Sequence, residues 1–316
     1  MTANPTDEAG LDPGPGRRLA VIFNPTKVVD DRLFAAVSKA VDRHPGWQRP
    51  IYLPTGADDN GRAATQQALR LGAELVLAAG GDGTVRAVTT VLQHSGVPCG
   101  IIPGGTGNLL ARNLEIPLDY DRALDIAFTG GQRRIDLAEL VIDHDQDHAI
   151  HFTGMAGIGF DAAMMRDTDD RLKRVAGNVA YVVAFARHLN SRPRRMRMRI
   201  DDGDAREFKA VLMMVGNTSQ LQGGLRLFPD ARPDDGRLDV LVAAPTTLGK
   251  WARLVGAILR RSRDPEVEYS QGSKIVFELD RATECEADGD TEGKGNHFEF
   301  SVKPSALLVM APPPRQ

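Results

Sequence analysis

Two cysteines in 316 residues, Cys99 and Cys285, are too few and too far apart for a disulfide framework or a zinc site. That pattern fits a reducing cytosol. No run of about 18 apolar residues occurs, so no membrane-spanning helix is expected. Met1 to Gly16 is polar and rich in glycine and proline, with no basic stretch leading into an apolar one. It is read as a disordered tail rather than a signal peptide. The formal net charge is only -3, which gives no global attraction to nucleic acid, so none is expected as a partner. An anionic partner would have to be met by a local patch. Neither GxGxxG nor GxxxxGK[ST] occurs at the main glycine loop, and no internal repeat is visible.

The first part of the chain alternates strand and helix patterns. Leu19 to Phe23 is an apolar run that closes on Asn24-Pro25-Thr26-Lys27. Leu33, Val37 and Val41 have helical spacing. Gln48 to Leu53 reads as a second strand and Asp59 to Leu71 as a second helix. Glu74 to Ala79 is a third strand, Val85 to His94 a third helix, and Cys99 to Pro103 a fourth strand. This alternation predicts a mostly parallel sheet with helices on its faces. Ligands of such sheets bind at the carboxyl ends of the strands. Those ends carry Asn24, Thr55, Gly80-Gly81-Asp82-Gly83-Thr84 and Gly104-Gly105-Thr106-Gly107-Asn108.

Loops of glycine can turn sharply and bring backbone N–H groups close to a ligand. A helix N-terminus adds partial positive charge that suits phosphate. Thr84 offers a hydroxyl, and Asp82 is placed to hold a cation or a water. One phosphate-binding edge accounts for all four loops. Plain βα turns that need glycine for geometry are the alternative.

From Arg134 the pattern changes to many strands and few helices. Arg134 to Val141 alternates, and Arg195-Met196-Arg197-Met198-Arg199-Ile200 alternates strictly. Lys209 to Val215, Leu238 to Val242, Lys274 to Leu279, His297 to Val302 and Ala306 to Met310 add strand candidates. A mostly β second domain follows, a sandwich or barrel. Two helices interrupt it, Leu172 to Leu189 and Lys250 to Arg261. Each packs on the sandwich or lines an apolar or membrane-facing surface. Arg192, Arg194, Arg195, Arg197 and Arg199 form a basic run, read as a solvated strand face or a site of peripheral membrane contact.

Glu284 to Glu292 packs five acids into nine residues. It is either a solvated loop, with Asp288-Gly289 as a turn, or the source of a carboxylate for phosphoryl transfer. That chemistry needs an acid to orient a hydroxyl and accept its proton. Pro233-Asp234-Asp235-Gly236-Arg237 is a turn whose Asp235 and nearby carbonyls could hold a hard cation.

These motifs together resemble the bacterial diacylglycerol kinase and lipid kinase family, which includes sphingosine and ceramide kinases. The resemblance runs from Leu19 to Pro312. It rests on Asn24-Pro25, Thr55, Gly80 to Val85, Pro103 to Asn108, Gly157-Ile158-Gly159-Phe160-Asp161, Gly216-Asn217, Pro233 to Asp239 and Asp288-Gly289-Asp290. It implies an NAD kinase-like three-layer α/β N-terminal domain and a mostly-β C-terminal sandwich domain. On that basis residues 1–16 are the tail and 17–137 the nucleotide-binding domain, which segment 304–316 rejoins. Residues 138–303 are the lipid-substrate domain.

The resemblance also implies ATP-dependent phosphorylation of a lipid hydroxyl, diacylglycerol to phosphatidic acid, with ATP and Mg2+. Asn24, Pro25, Thr26, Lys27, Val28, Thr55, Gly80, Gly81, Asp82, Gly83, Thr84, Val85, Arg86 and Thr106 would then bind the nucleotide. Asp288 would be the proton acceptor. Asp235, with the carbonyls of Arg232 and Arg237, would form a magnesium site. The expected location is cytoplasmic, peripheral at the inner membrane face, and the assembly is left open, a homodimer included.

Three motifs depart from the family pattern. Lys27-Val28 stands where Ser-Gly is usual, Asn108-Leu109 where Asn-Asp is usual, and Asp290 where Glu is usual. Two other functions stay open, an NAD kinase-like enzyme and a non-catalytic lipid-binding regulatory protein.

Overall fold

The computed structural model describes residues 16–313 apart from 29, 57–58, 160–192, 222–225, 246, 261 and 263. The expected tail up to residue 15, Phe160, Asp161, the helix expected at 172–189 and Arg192 lie outside the described residues. The chain divides into two compact units, Met1–Ile135 with Ala306–Gln316, and Asp136–Ser305.

The first unit is built as strand–helix alternation. Its elements are β1 (Leu19–Phe23), α1 (Asp30–Arg43), β2 (Ile51–Pro54), α2 (Arg62–Arg70), β3 (Leu75–Gly80), α3 (Asp82–Leu92), β4 (Cys99–Pro103), α4 (Leu109–Asn113) and α5 (Tyr120–Thr129). β1 lies between β2 and β3, and β4 follows β3, all parallel. The chain later returns to this sheet, where Val309 pairs in parallel with Cys99.

Every residue of β1, β3 and β4 is buried, as expected of strands covered on both faces. Leu33, Val37 and Ala40 of α1 are fully buried, so the helical spacing marks a true core face. α5 was not evident in the sequence, because its buried residues are Ala123, Leu124 and Ala127, a thin stripe. Small residues serve a close approach there. A Cβ on Gly100 of β4 would lie 2.8 Å from the Ala127 Cβ and 2.6 Å from Leu77 Cδ2.

β5 (Gly131–Ile142) carries the chain into the second unit. There follow β6 (Ile150–Phe152), β7 (Met155–Ile158), β8 (Arg194–Ile200), β9 (Arg206–Ala210), β10 (Leu212–Gly216), β11 (Leu238–Ala243), α6 (Leu248–Leu259), β12 (Glu268–Gly272), β13 (Lys274–Ala287) and β14 (Asp290–Ala311). The strands pair antiparallel in the order β12, β11, β10, β7, β13, β14. β8 pairs with the first half of β13 and β9 pairs with β8.

The alternation of β8 is realised, with Met196 and Met198 buried and Arg195, Arg197 and Arg199 exposed. The core of this unit stacks aromatic rings edge to face. Phe300 meets Phe152 at 6.2 Å and Phe277 at 6.0 Å between centroids, and all three are fully buried. The architecture is therefore an α/β unit with a mostly parallel sheet, followed by a β-rich unit.

The structure moves several expected boundaries. The acidic stretch is not a loop, since β13 runs through Glu284, Cys285 and Glu286 to Ala287. The runs at His297 and Ala306 belong to one strand, β14. The run at Lys209 divides at Val211 into β9 and β10. β12 reads Glu-Tyr-Ser-Gln-Gly, which lacks a strand signature. Among the described residues it pairs only with β11, and an edge strand tolerates polar residues.

Truncation of the shared ring should show how far this core depends on it. Phe300→Ala is expected to lower stability by about 3–5 kcal/mol, the usual loss for a buried aromatic ring. Urea unfolding read at equilibrium measures it.

Candidate active site

At the end of β1 the side chain of Asn24 builds a tight turn. Its Oδ1 accepts from the Thr26 N–H at 2.9 Å and from Thr26 Oγ1 at 2.7 Å. Its carbonyl accepts from the N–H groups of Lys27 and Val28 at 3.0 and 3.1 Å. The Asn24 N–H donates to the Ala79 carbonyl, and the Thr55 N–H to the Phe23 carbonyl. The loops after β1, β2 and β3 are thus tied to one another through the backbone. Pro25, Thr26 and Lys27 are exposed and Thr55 is half-buried, whereas Val28 is buried.

The loops after β3 and β4 also meet backbone to backbone. The Gly104 N–H donates to the Gly80 carbonyl at 2.8 Å. A Cβ on Gly105 would lie 2.6 Å from the Gly81 Cα, and one on Gly104 would lie 2.6 Å from Val28 Cγ1. These contacts are below any distance that a real Cβ shows, so the two loops approach this closely only as glycines. A Cβ on Gly80 would lie 2.6 Å from Thr84 Oγ1. Thr84 is 3% exposed, and its hydroxyl packs over Gly80.

α3 begins at Asp82, earlier than the apolar pattern indicated, so Gly83, Thr84, Val85 and Arg86 are helical. Gly81 and Gly83 are half-buried, Arg86 is half-buried, and Val85 is buried. Asp82 is used differently from expectation. Its Oδ2 accepts the Asn108 N–H at 2.9 Å and its Oδ1 accepts the Leu109 N–H at 2.5 Å. Asp82 is therefore the clamp that fixes the loop after β4 at the start of α4. Thr106, in the middle of that clamped loop, is exposed.

Beside Gly104 and Thr106 lies a cleft of about 330 Å³, walled by Arg32, Arg112 and Tyr120. The Arg112 Nε donates to the Gly107 carbonyl at 2.8 Å. The Arg32 guanidinium sits 5.3 Å from the centre of the Tyr120 ring. Burial pushes the Tyr120 phenol up from its ordinary range, with Arg32 opposing it. Neither arginine carries a motif that sequence reading could have picked out.

In the second unit, Asp288 and Gly289 are the two central residues of the β13–β14 hairpin, since Ala287 pairs with Asp290. Both have positive φ, 50° and 91°, which a two-residue hairpin turn of this hand requires. The turn directs the Asp288 carboxylate onto the segment between β6 and β7. Its Oδ2 accepts the Thr153 N–H at 3.0 Å. Its Oδ1 accepts the N–H groups of Gly154 and Met155 at 2.8 and 3.1 Å. The Asp288 N–H donates back to the Met155 carbonyl.

The other acidic segment is organised by a residue that the sequence did not single out. Asp136 of β5 is 1% exposed. Its Oδ2 accepts the Gly236 N–H and its Oδ1 accepts the Ser305 N–H, both at 2.7 Å. Its own N–H donates to the Pro233 carbonyl at 2.6 Å. Asp235 accepts the Arg237 N–H at 3.0 Å, and Arg232 pairs with Asp234 at 3.3 Å. Burial pushes the Asp235 carboxyl above its usual range, and the charges of Asp136 and Asp234 push the same way. An oxygen-bearing turn of this kind is the type that hard cations use. Among the described residues no group of three or more His, Cys, Asp or Glu side chains forms a metal cluster. A cation here would rest on Asp235 and on backbone carbonyls.

The basic run is a mixed-charge surface. Arg197 pairs with Glu278 at 3.3 Å and lies opposite Glu207 in the strand register. No helix among the described residues is long and apolar enough to cross a membrane.

Residues 18–140 match the diacylglycerol kinase catalytic domain, and residues 154–311 match the YegS C-terminal NAD kinase beta sandwich-like domain. A Chromohalobacter salexigens protein named "Probable lipid kinase YegS-like" is 31% identical over 260 residues, covering 80% of this chain and 81% of that protein. The chain belongs to the YegS-like lipid kinase family. An Escherichia coli "Probable lipid kinase YegS" is 29% identical over 258 residues, 78% of this chain and 81% of that one. In fold, a diacylglycerol kinase from Bacillus anthracis superposes with a TM-score of 0.69 at 21% identity, over 94% of this chain and 97% of that one. A yeast NADH kinase shares the fold at a TM-score of 0.51 and 10% identity, over 95% of this chain and 84% of that one.

Leu109 stands where the resemblance led to the expectation of an acid. The structure shows how the position is filled. The Leu109 side chain is 5% exposed and packs in the core, while its N–H serves the Asp82 clamp.

Two stability measurements test these geometries. Gly105→Ala should lower stability by about 1–3 kcal/mol, because the backbone of the facing loop must move. Gly81→Ala should stay within about 0.5 kcal/mol, since its Cβ would meet only the Gly105 Cα at 3.5 Å. The raised Asp235 carboxyl has a definite sign. Its contribution to stability is full below the unfolded carboxylate range and is lost as pH rises through the higher folded value. Asp235→Asn is therefore expected to raise the melting temperature at neutral pH, with the gain vanishing in acid. Thermal scans across pH check both limbs.

Proposed function

We propose that this protein is an ATP-dependent lipid kinase that phosphorylates the free hydroxyl of diacylglycerol to give phosphatidic acid. The observation that carries this reading is Asp288. It is a carboxylate at a hairpin turn, fixed by three backbone N–H groups, in a family whose chemistry needs one acid at the acceptor hydroxyl. The diacylglycerol assignment is supported by the name of the catalytic-domain family that residues 18–140 match.

In this mechanism the first unit binds the donor. The backbone N–H groups at the glycine loops and the start of α3 receive the phosphates. Thr26, Lys27 and Thr106 are the exposed side chains that contact them, and Lys27 brings a positive charge where the family usually has none. Thr84 and Asp82 act from behind by holding the loops in shape. Asp288 orients the lipid hydroxyl and takes its proton. A bond forms between that oxygen and the γ-phosphorus as the bond from the γ-phosphorus to its bridging oxygen breaks, leaving ADP. Such a loose transfer asks the protein mainly for position and charge. A magnesium ion would be held by the Asp235 carboxylate with the carbonyls of Arg232 and Arg237, as the resemblance implies. That ion would supply charge compensation for the acidic turn.

The decisive assay supplies radiolabelled ATP with dioctanoylglycerol, monoacylglycerol, sphingosine, ceramide, a polyprenol and NAD in parallel. Labelled phosphatidic acid is the expected product. Asp288→Asn should reduce that turnover by about 10³-fold or more while the melting temperature stays close to that of the unmodified protein. Label on NAD alone, or full turnover by a folded Asp288→Asn protein, defeats this reading. Magnesium should raise the melting temperature of the unmodified protein and leave that of Asp235→Asn unchanged.

A further inference from the structure

Asn217 follows β10 and is 1% exposed. Its N–H donates to the Gly154 carbonyl at 2.8 Å. Its Nδ2 donates to the Thr153 carbonyl at 3.3 Å and to the Asp136 carbonyl at 3.1 Å. The Thr153–Gly154 and Gly154–Met155 peptide groups are the two whose N–H groups donate to Asp288 Oδ1 at 2.8 and 3.1 Å. In a trans peptide the carbonyl and the N–H point in opposite directions. Each of these two peptide planes is thus pinned at both ends, by Asn217 at the carbonyl and by Asp288 at the N–H. A hydrogen bond accepted by the carbonyl also polarises the N–H of the same group and strengthens its donation.

We propose that Asn217 is a positioning residue for Asp288, fixing the two peptide groups that hold the carboxylate. The inference rests on the reading of Asp288 as the proton acceptor. The residue type follows from the hydrogen-bond inventory. Two carbonyls, of Thr153 and Asp136, must be met by one side chain. A primary amide has two hydrogens to give, a carboxylate none and a hydroxyl one. The amide is retained although its Oδ1 is buried without a hydrogen-bond partner among the described residues. The second carbonyl belongs to Asp136, whose carboxylate holds the Gly236 N–H. One side chain therefore joins the acid at the hairpin to the acidic turn at Asp235.

The test is a double-mutant cycle on kcat with radiolabelled ATP and the best acceptor of the panel above. Asn217→Ala should lower kcat about 10–100-fold with KM for ATP within about twofold, as expected when a reacting group is misplaced and donor binding is untouched. In the Asp288→Asn protein the same substitution should change the residual rate by less than about twofold, because the group it positions is gone. Asn217→Ser keeps the main-chain bond to Gly154 and should show the same pattern, which covers a poorly folding alanine variant. Unchanged kcat in a folded Asn217 variant, beside an inactive Asp288→Asn, overturns this inference and leaves the kinase reading intact. So does a loss that multiplies undiminished in the Asp288→Asn background. Full activity of Asp288→Asn instead removes the kinase reading on which the inference stands.

Discussion

Asp136 is the buried carboxylate on which the arrangement of the second unit depends. It stands where the chain enters that unit, and Ser305, whose N–H it accepts, stands where the chain leaves. The other oxygen holds Gly236, and the backbone on either side reaches Pro233 and Asn217. Ser305 has a φ of 51°, a left-handed conformation that costs a non-glycine residue about 1–2 kcal/mol. The hydrogen bond to Asp136 offsets that strain. A carboxylate so placed cannot be lost without leaving two N–H groups unmet in the interior. Each such loss is worth about 1–3 kcal/mol, a large share of the stability of any domain.

The first unit reaches the same end by the opposite route. The edge formed by its strand ends is held by the side chains of Asn24, Asp82 and Asn108, and is shaped as much by what is missing from Gly80, Gly104 and Gly105. Backbone lies directly on backbone there, and the one carboxylate in the loop, Asp82, faces the neighbouring loop. The main-chain N–H groups of these loops are thereby held in fixed directions, so little ordering would remain to be done if an anion bound there. The second unit uses the same device within the chain. Its N–H groups hold a side-chain anion, Asp288, in place of a ligand anion.

Strand and helix order in the first unit was legible because β1, β3 and β4 are continuous apolar runs and α1 has a clean stripe. Asp288-Gly289 was legible as a turn, since few residue pairs accept positive φ twice. Asp136 was not. It sits in an alternating strand at a position that the pattern assigns to the polar face, and only long-range partners at 236 and 305 make its burial affordable. Asp82 was misread for a related reason. A carboxylate beside glycines suggests a cation, and nothing local reveals that N–H groups of residues 108 and 109 have claimed it. Gly216-Asn217 was legible as a motif, but its partners were not, because the peptide groups that Asn217 meets lie more than sixty positions away.

The discontinuity of the first unit has a consequence for synthesis. Its sheet takes a strand from the segment that begins at Ala306, where the Ala306 carbonyl accepts the His94 N–H and Val309 lies beside Cys99. The residues of the second unit are contiguous, so all of them leave the ribosome before that strand does. The unit that is first in sequence is thus the last to be completed. During translation β4 keeps an open edge until the returning strand arrives, and that edge is the exposure a chaperone would find.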